Sequence, residues 1–147
     1  MKNILSILLI SVLFIGCSEN RVLMDELTVK GTENSPIMYD EKGLFNGTGI
    51  EVYSNGQLKY ETNYKNGKLD GIRKAWHENG RLYHKENYKD GKLNGISKTW
   101  YYSGKLMFKK SYKNGKEDGI HKGWDGNNQL MYEIKYKNGE VVYIKNQ

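Results

Sequence analysis

Residues 71–94 read GIRKAWHENGRLYHKENYKDGKLN, and the next 24 residues repeat most of this pattern as GISKTWYYSGKLMFKKSYKNGKED. A third copy begins at Gly119, and a more divergent, earlier copy begins at Gly47. A fixed period of this length is typical of repeat proteins, in which each repeat is a small structural unit that packs on its neighbours. The period therefore predicts an array of similar units that start near residues 47, 71, 95 and 119.

Aligning the units shows that apolar residues recur at fixed positions. These positions form a tryptophan column, a leucine column and a tyrosine column, made of Trp76, Trp100 and Trp124, of Leu82, Leu106 and Leu130, and of Tyr64, Tyr88, Tyr112 and Tyr136. Each unit alone has too little apolar surface to be stable, and stacking lets neighbours share it. We interpret the columns as packing ladders that lie on one face or along one edge; the alternative is a ligand groove.

Within a unit, apolar and polar residues alternate with a period of two, which indicates β-strands. Asn-Gly pairs separate these strands at Asn55-Gly56, Asn66-Gly67 and Asn79-Gly80. Both residue types tolerate the positive φ angles that two-residue hairpin turns require. We therefore predict an all-β fold, an extended single-layer antiparallel β-meander of stacked 24-residue β-hairpin repeats.

The sequence contains few of the patterns that carry chemistry. Its three histidines, His77, His84 and His121, occupy different positions within their units, so stacking does not align them as metal ligands. Neither a nucleophile motif nor a phosphate-binding glycine loop is present. We interpret the column Asp70, Asn94 and Asp118 as turn formers that bind their local backbone. We predict a protein with no enzyme activity, cofactor or metal.

The N-terminus predicts export. Lys2 precedes an apolar run from Ile4 to Ile15, shorter than the roughly 20 residues that span a bilayer, so residues 1–16 are predicted to be a signal peptide. Residues 13–17, LFIGC, resemble the lipobox of bacterial lipoproteins, with Phe14 where leucine is usual. This resemblance implies lipidation of Cys17 and a lipid-anchored location in the bacterial cell envelope, on the outer membrane if the cell is Gram-negative. The alternative is an ordinary signal peptide with an incidental cysteine.

We expect residues 17–36 to form a lipidated tether or cap, and residues 37–147 to form the repeat domain. The repeat pattern Gly-x4-Trp-x3-Gly-x-Leu-x5-Tyr-Lys-Asn/Asp-Gly, present from about Gly43 to Val142, resembles the bacterial variant of the MORN-repeat family, including its YwqK-like group. Val52 and Asn128 depart from it in the first and last units. The resemblance implies a binding or scaffolding surface. Bacterial proteins of this kind are often catalogued as antitoxins, and MORN repeats elsewhere contact membranes, phospholipids or proteins.

Two binding hypotheses follow. The first is a protein-interaction module, antitoxin- or immunity-like, that binds an unidentified and toxin-like protein through Tyr83, Tyr101 and Tyr102. The second is an adaptor that binds an anionic membrane or envelope polymer through a basic rim of turn lysines, Lys65, Lys89, Lys113 and Lys137. The same lysines also fit solvated residues that protect strand edges. Nucleic acid is not an expected partner because an exported chain does not meet it.

Overall fold

The computed structural model describes residues 20–32 and 35–146. The predicted signal peptide and the predicted lipidation site, Cys17, lie outside these residues. In the part that is described, none of the helical segments has the length and apolar character needed to cross a membrane.

Strands make up most of the described chain, and its one helical segment is a single 3-10 turn at Met24–Glu26. The strands are β1 (Arg21–Leu23), β2 (Thr28–Thr32), β3 (Ser35–Asp40), β4 (Gly43–Leu44), β5 (Gly47–Val52), β6 (Leu58–Lys65), β7 (Lys68–Trp76), β8 (Leu82–Lys89), β9 (Lys92–Leu93), β10 (Gly95–Trp100), β11 (Leu106–Lys113), β12 (Lys116–Glu117), β13 (Gly119–Trp124), β14 (Leu130–Lys137) and β15 (Glu140–Asn146). The predicted all-β class is confirmed.

Most strands join one large sheet, in the order β1-β5-β6-β7-β8-β10-β11-β13-β14-β15, with β9 and β12 pairing β8 and β11. Neighbouring strands in this order pair antiparallel from β5 to β15, so the predicted meander of successive hairpins is confirmed. Strand β1 runs parallel to β5 and covers that edge of the sheet. Strand β15 forms the opposite edge.

A small sheet of β2, β3 and β4 lies at the N-terminal end of the array. It contributes to a buried cluster of Leu27, Met38 and Phe45, in which Phe45 is 0% exposed and lies 5.7 Å from the Tyr64 ring. The Met38 amide also donates to the Gly67 carbonyl at 2.7 Å, which ties the small sheet to the first repeat turn. The domain boundary expected at residue 37 falls inside β3.

The hairpins use two kinds of turn, whereas the sequence suggested one. At Asn66-Gly67 both residues have positive φ, 50° and 72°, and Lys65 pairs with Lys68, as expected for a two-residue turn. The prediction is wrong for Asn55-Gly56 and Asn79-Gly80. Those pairs lie in five-residue loops, 53–57 and 77–81. In these loops only the glycine has positive φ, and the asparagine side chain accepts the amide two residues later.

The aromatic columns occupy opposite faces of the sheet, contrary to the prediction of one shared face. Residues paired across antiparallel strands share a face, and successive residues alternate between faces. Tyr88 pairs with Gly71, five positions before Trp76, which places Trp76 and Tyr88 on opposite faces. Side-chain contacts agree, because Trp76 lies near Lys74, whereas Tyr88 donates to Glu86. The columns are therefore a tryptophan face and a tyrosine face.

Candidate binding surfaces

A β-bulge lies at Tyr83. Ala75 pairs with His84 and Trp76 with Leu82, so Tyr83 has no partner on β7. A bulged residue is aimed differently from its neighbours, and Tyr83 is 44% exposed. The same register shift precedes the tryptophan position in every unit, and the residues that correspond to Tyr83 are Lys59, Met107 and Met131.

Tyr83 and Tyr102 both lie next to His77. The His77 ring centroid is 5.0 Å from that of Tyr83 and 4.9 Å from that of Tyr102, which is 61% exposed. Arg81 joins its own loop, 77–81, which carries His77, to the loop 101–105, which carries Tyr102, by donating to the Tyr102 and Ser103 carbonyls at 3.4 and 3.0 Å. We call His77, Tyr83 and Tyr102 the tyrosine cluster. It brings together two of the three tyrosines that the sequence marked as a candidate surface.

Tyr101 has a different role from that expected. It is half-buried, and its hydroxyl donates to the backbone carbonyl of Trp124 in the next unit at 2.8 Å. The Tyr53 hydroxyl donates to the backbone carbonyl of Trp76 in the same way, at 2.7 Å. His77 occupies the equivalent position between them, and among the described residues its Nε2 is buried without a hydrogen-bond partner. Sequence analysis missed His77, although its place in the column Tyr53, His77 and Tyr101 was a signal.

The four rim lysines are all exposed at one set of turns. Two of them are ion-paired across units, Lys89 with Asp70 at 3.3 Å and Lys137 with Asp118 at 3.2 Å. These carboxylates offset part of the rim's positive charge. The rim is therefore less basic than its sequence suggests.

The column that includes Asp70 and Asp118 binds the next unit, which corrects the interpretation that it binds its local backbone. Each side-chain oxygen accepts the amide 20 residues further along the chain, at the first turn residue of the following unit. The pairs are Asn46 with Asn66 at 2.8 Å, Asp70 with Asp90 at 3.1 Å, Asn94 with Asn114 at 3.3 Å and Asp118 with Asn138 at 3.3 Å. We call this series the turn spine.

The turn spine explains two pKa shifts. The amide of Asp90 and then the ammonium of Lys89 lower the pKa of Asp70, while limited burial opposes them. The amide of Asn138 and then Lys137 lower the pKa of Asp118 in the same way. Both carboxylates are therefore ionised at neutral pH and occupied by contacts between units.

Glu86 is the centre of a polar network on the tyrosine face. Its carboxylate accepts from His84 at 3.0 Å and from Arg73 and Tyr88 at 3.1 Å each. Burial acts to raise the pKa of Glu86, but these donors outweigh it and hold the pKa below its usual value. Burial and the nearby Glu86 charge raise the pKa of Tyr88 to about 12. The network is thus an ionised carboxylate bound by fixed donors, an arrangement that stabilises the sheet.

The repeat geometry agrees with the comparison against protein families. The model for the MORN repeat variant matches residues 45–66, 69–90, 93–114 and 117–138, which together are more than half of the chain. The chain therefore belongs to the MORN repeat variant family. Repeats of this family are generally protein- or membrane-binding modules. A comparison with curated proteins finds no match.

Two solved structures are distantly similar to this chain. A complex of GtfA and GtfB bound to UDP and GlcNAc is 12% identical with a TM-score of 0.41, over 82% of this chain and 24% of the other. A mutant form of TarM from S. aureus is 10% identical with a TM-score of 0.40, over 82% of this chain and 21% of the other. The chain thus spans less than a quarter of the length of either protein.

Proposed function

We propose that this chain is a non-enzymatic protein of the bacterial cell envelope, lipid-anchored through Cys17, whose repeat sheet binds a protein partner. The tyrosine cluster carries this proposal. Tyr83 and Tyr102 are both well exposed, and both contact the same histidine, although they come from neighbouring units. The family supports a binding role in general, and the LFIGC stretch supports the anchor.

The chemistry of the cluster fits a protein interface. Tyrosine offers a large apolar ring and a polar hydroxyl at low entropic cost, and it is enriched among the residues that dominate binding energy. Arg81 holds both loops in one arrangement, so little order has to be gained on binding. A toxin-like protein is one partner of this kind, which makes an antitoxin- or immunity-like role the specific form of the proposal.

The test is a crosslinked pull-down of the protein from its own envelope. We expect one protein to be recovered in stoichiometric amount with both the native chain and the unanchored Cys17→Ser variant. The double variant Tyr83→Ala/Tyr102→Ala should lose it, because each truncation of a dominant tyrosine costs about 2 kcal/mol or more. The matched control is Tyr143→Ala, which removes a tyrosine 53% exposed on the distant edge strand β15.

Salt distinguishes the two binding hypotheses. An interface made of aromatic side chains should survive a few hundred millimolar salt, whereas a target held by the lysine rim should be released. Recovery of lipid or polymer alone, lost with salt, would contradict the protein-binding proposal. If a single protein is found, a neutralisation assay of that protein tests the antitoxin-like role, and an inert partner would remove it.

A further inference from the structure

The strand register aligns five lysines in one row on the tryptophan face. Lys74 lies opposite Lys85, Lys85 opposite Lys98, Lys98 opposite Lys109, and Lys109 opposite Lys122. The five residues come from consecutive strands of the sheet, β7, β8, β10, β11 and β13. We call them the lysine row. The row differs from the rim, which lies at the turns.

Acidic residues end the row on both sides. Glu61 binds Lys74 at 2.9 Å on one side, and Glu133 binds Lys122 at 2.8 Å on the other. Among the described residues, the three central lysines form no ion pair. The centre of the row is therefore an uncompensated strip of positive charge, one side chain wide.

Such a strip weakens the free sheet. Like charges directly opposite each other in paired strands are destabilising, and neighbouring strands lie only about 4.8 Å apart. An anion that lies along the row removes this repulsion and adds attraction. The row is therefore best suited to a thread-like ligand with negative charges at regular, close intervals.

Apolar side chains flank the row. Every second lysine of the row is followed two residues later by a tryptophan; these are Trp76, Trp100 and Trp124. The Lys74 ammonium lies 5.9 Å from the Trp76 ring centroid. Two residues before the same lysines come isoleucines, of which Ile96 and Ile120 are 42% and 44% exposed. Indole faces are electron-rich and attract the polarised C–H groups on the flat side of a sugar ring.

We propose that the tryptophan face binds a linear acidic polysaccharide that lies across strands β7 to β13. Its carboxylates contact the lysine row, and its sugar rings lie against the tryptophans. Adjacent strands lie about 4.8 Å apart, which is close to the length of one pyranose ring in an extended chain. Each successive sugar can therefore lie next to the lysine of the next strand. The row and the tyrosine cluster share no residue, and the Tyr83 ring centroid lies 5.9 Å from that of His84, which belongs to the tyrosine face. The proposal is therefore independent of the protein-binding function.

The test uses polygalacturonate, a uronic acid homopolymer, and the intact protein purified in detergent. All three tryptophans of the chain belong to this face, so intrinsic fluorescence reports on it directly. We expect a saturable fluorescence change that a few hundred millimolar salt removes. The triple variant Lys85→Gln/Lys98→Gln/Lys109→Gln should bind about tenfold more weakly.

The matched control is Lys65→Gln/Lys113→Gln/Lys116→Gln, which removes the same net charge from the turns and should bind nearly as well as the native protein. Melting temperature shows that the row variant is folded, and we expect it to be unchanged or higher because repulsion is relieved. Equal weakening in both triple variants would overturn the proposal, as would an absence of fluorescence change.

Tighter binding through the row to phosphatidylglycerol vesicles or to an oligothymidylate would assign the face to a membrane or a nucleic acid instead. Tyr83→Ala/Tyr102→Ala should leave polygalacturonate binding intact, so this proposal and the protein-binding one can fail separately.

Discussion

Phe45 and Trp100 show that burial is unevenly distributed along the array. Phe45 is 0% exposed within the N-terminal cluster, whereas Trp100 is only half-buried on the tryptophan face. Truncating an aromatic side chain to alanine in a filled core costs about 3–5 kcal/mol. That value applies to Phe45 and not to the half-buried Trp100.

We therefore predict that Phe45→Ala lowers the free energy of unfolding by about 3–5 kcal/mol. Trp100→Ala should lower it by about 1–3 kcal/mol, since less surface is removed from water. Urea denaturation of both variants measures the difference. A Trp100→Ala variant as unstable as Phe45→Ala would mean that the tryptophan face is covered by something other than solvent.

Local geometry decides which of the residues marked in the sequence come together. The sequence marked Tyr83, but no residue pattern in the unit reveals the bulge at its position. His77 looked like an isolated histidine because one histidine replaces the tyrosine of the neighbouring units. Alternation alone does not separate the tryptophan and tyrosine columns, because Trp76 and Tyr88 are an even number of residues apart. The bulge at Tyr83 shifts the register so that Tyr88 pairs with Gly71, and this shift places the two columns on opposite faces.

At the scale of the turn, the Asx column is a contact between units. Asp70 binds both the Asp90 amide and the Lys89 ammonium, and its pKa is lowered as a result. A carboxyl group whose pKa is lowered by folding stabilises the protein above its unfolded pKa of about 4, and this contribution is lost as pH falls through the folded value. The chain already carries asparagine at two equivalent positions, Asn46 and Asn94.

We predict that Asp70→Asn keeps the hydrogen bond and loses only the charge. It should melt slightly below the native protein at pH 7, and the difference should shrink as the pH falls below the unfolded pKa of about 4 and through the lowered pKa of folded Asp70. Asp70→Ala should melt lower than the native protein throughout this pH range because the Asp90 amide loses its acceptor. Calorimetric melts over a series of pH values from 7 downward measure this. Identical melts for the Asn and Ala variants would contradict the role of the side-chain oxygen.

The two kinds of turn show which elements can be read from the sequence. Asn66-Gly67 was predicted correctly because both residues adopt positive φ between the directly paired Lys65 and Lys68. Asn79-Gly80 has the same two letters but lies within a five-residue loop. The bulge before Trp76 sets the length of that loop, and it arises from pairing with another strand. Local residue types therefore predicted the strands and half of the turns, and the register supplied the rest.

At the scale of the whole molecule, the sheet is an array in which each unit contacts mainly its neighbours. Removing residues 95–118 deletes one complete 24-residue unit and joins Asn94 to Gly119, so the remaining units keep their order and their boundaries. We predict a folded protein that retains its β-sheet circular dichroism. Its urea m-value should fall by about a fifth, since m follows the surface exposed on unfolding. An unfolded product would show that the units are not interchangeable.

The position of β1 has a consequence for how far the protein reaches. Only two residues lie between Cys17 and Asn20, and β1 begins at Arg21 on the first edge of the sheet. Under the proposed anchoring, that edge is held at the lipid surface. The path from β1 to β15 crosses nine strand spacings of about 4.8 Å, so β15 stands about 43 Å from the first edge. Each added repeat contributes two strands and lengthens this span by about 9.6 Å. The number of repeats therefore determines how far the protein extends from the membrane into the surrounding envelope.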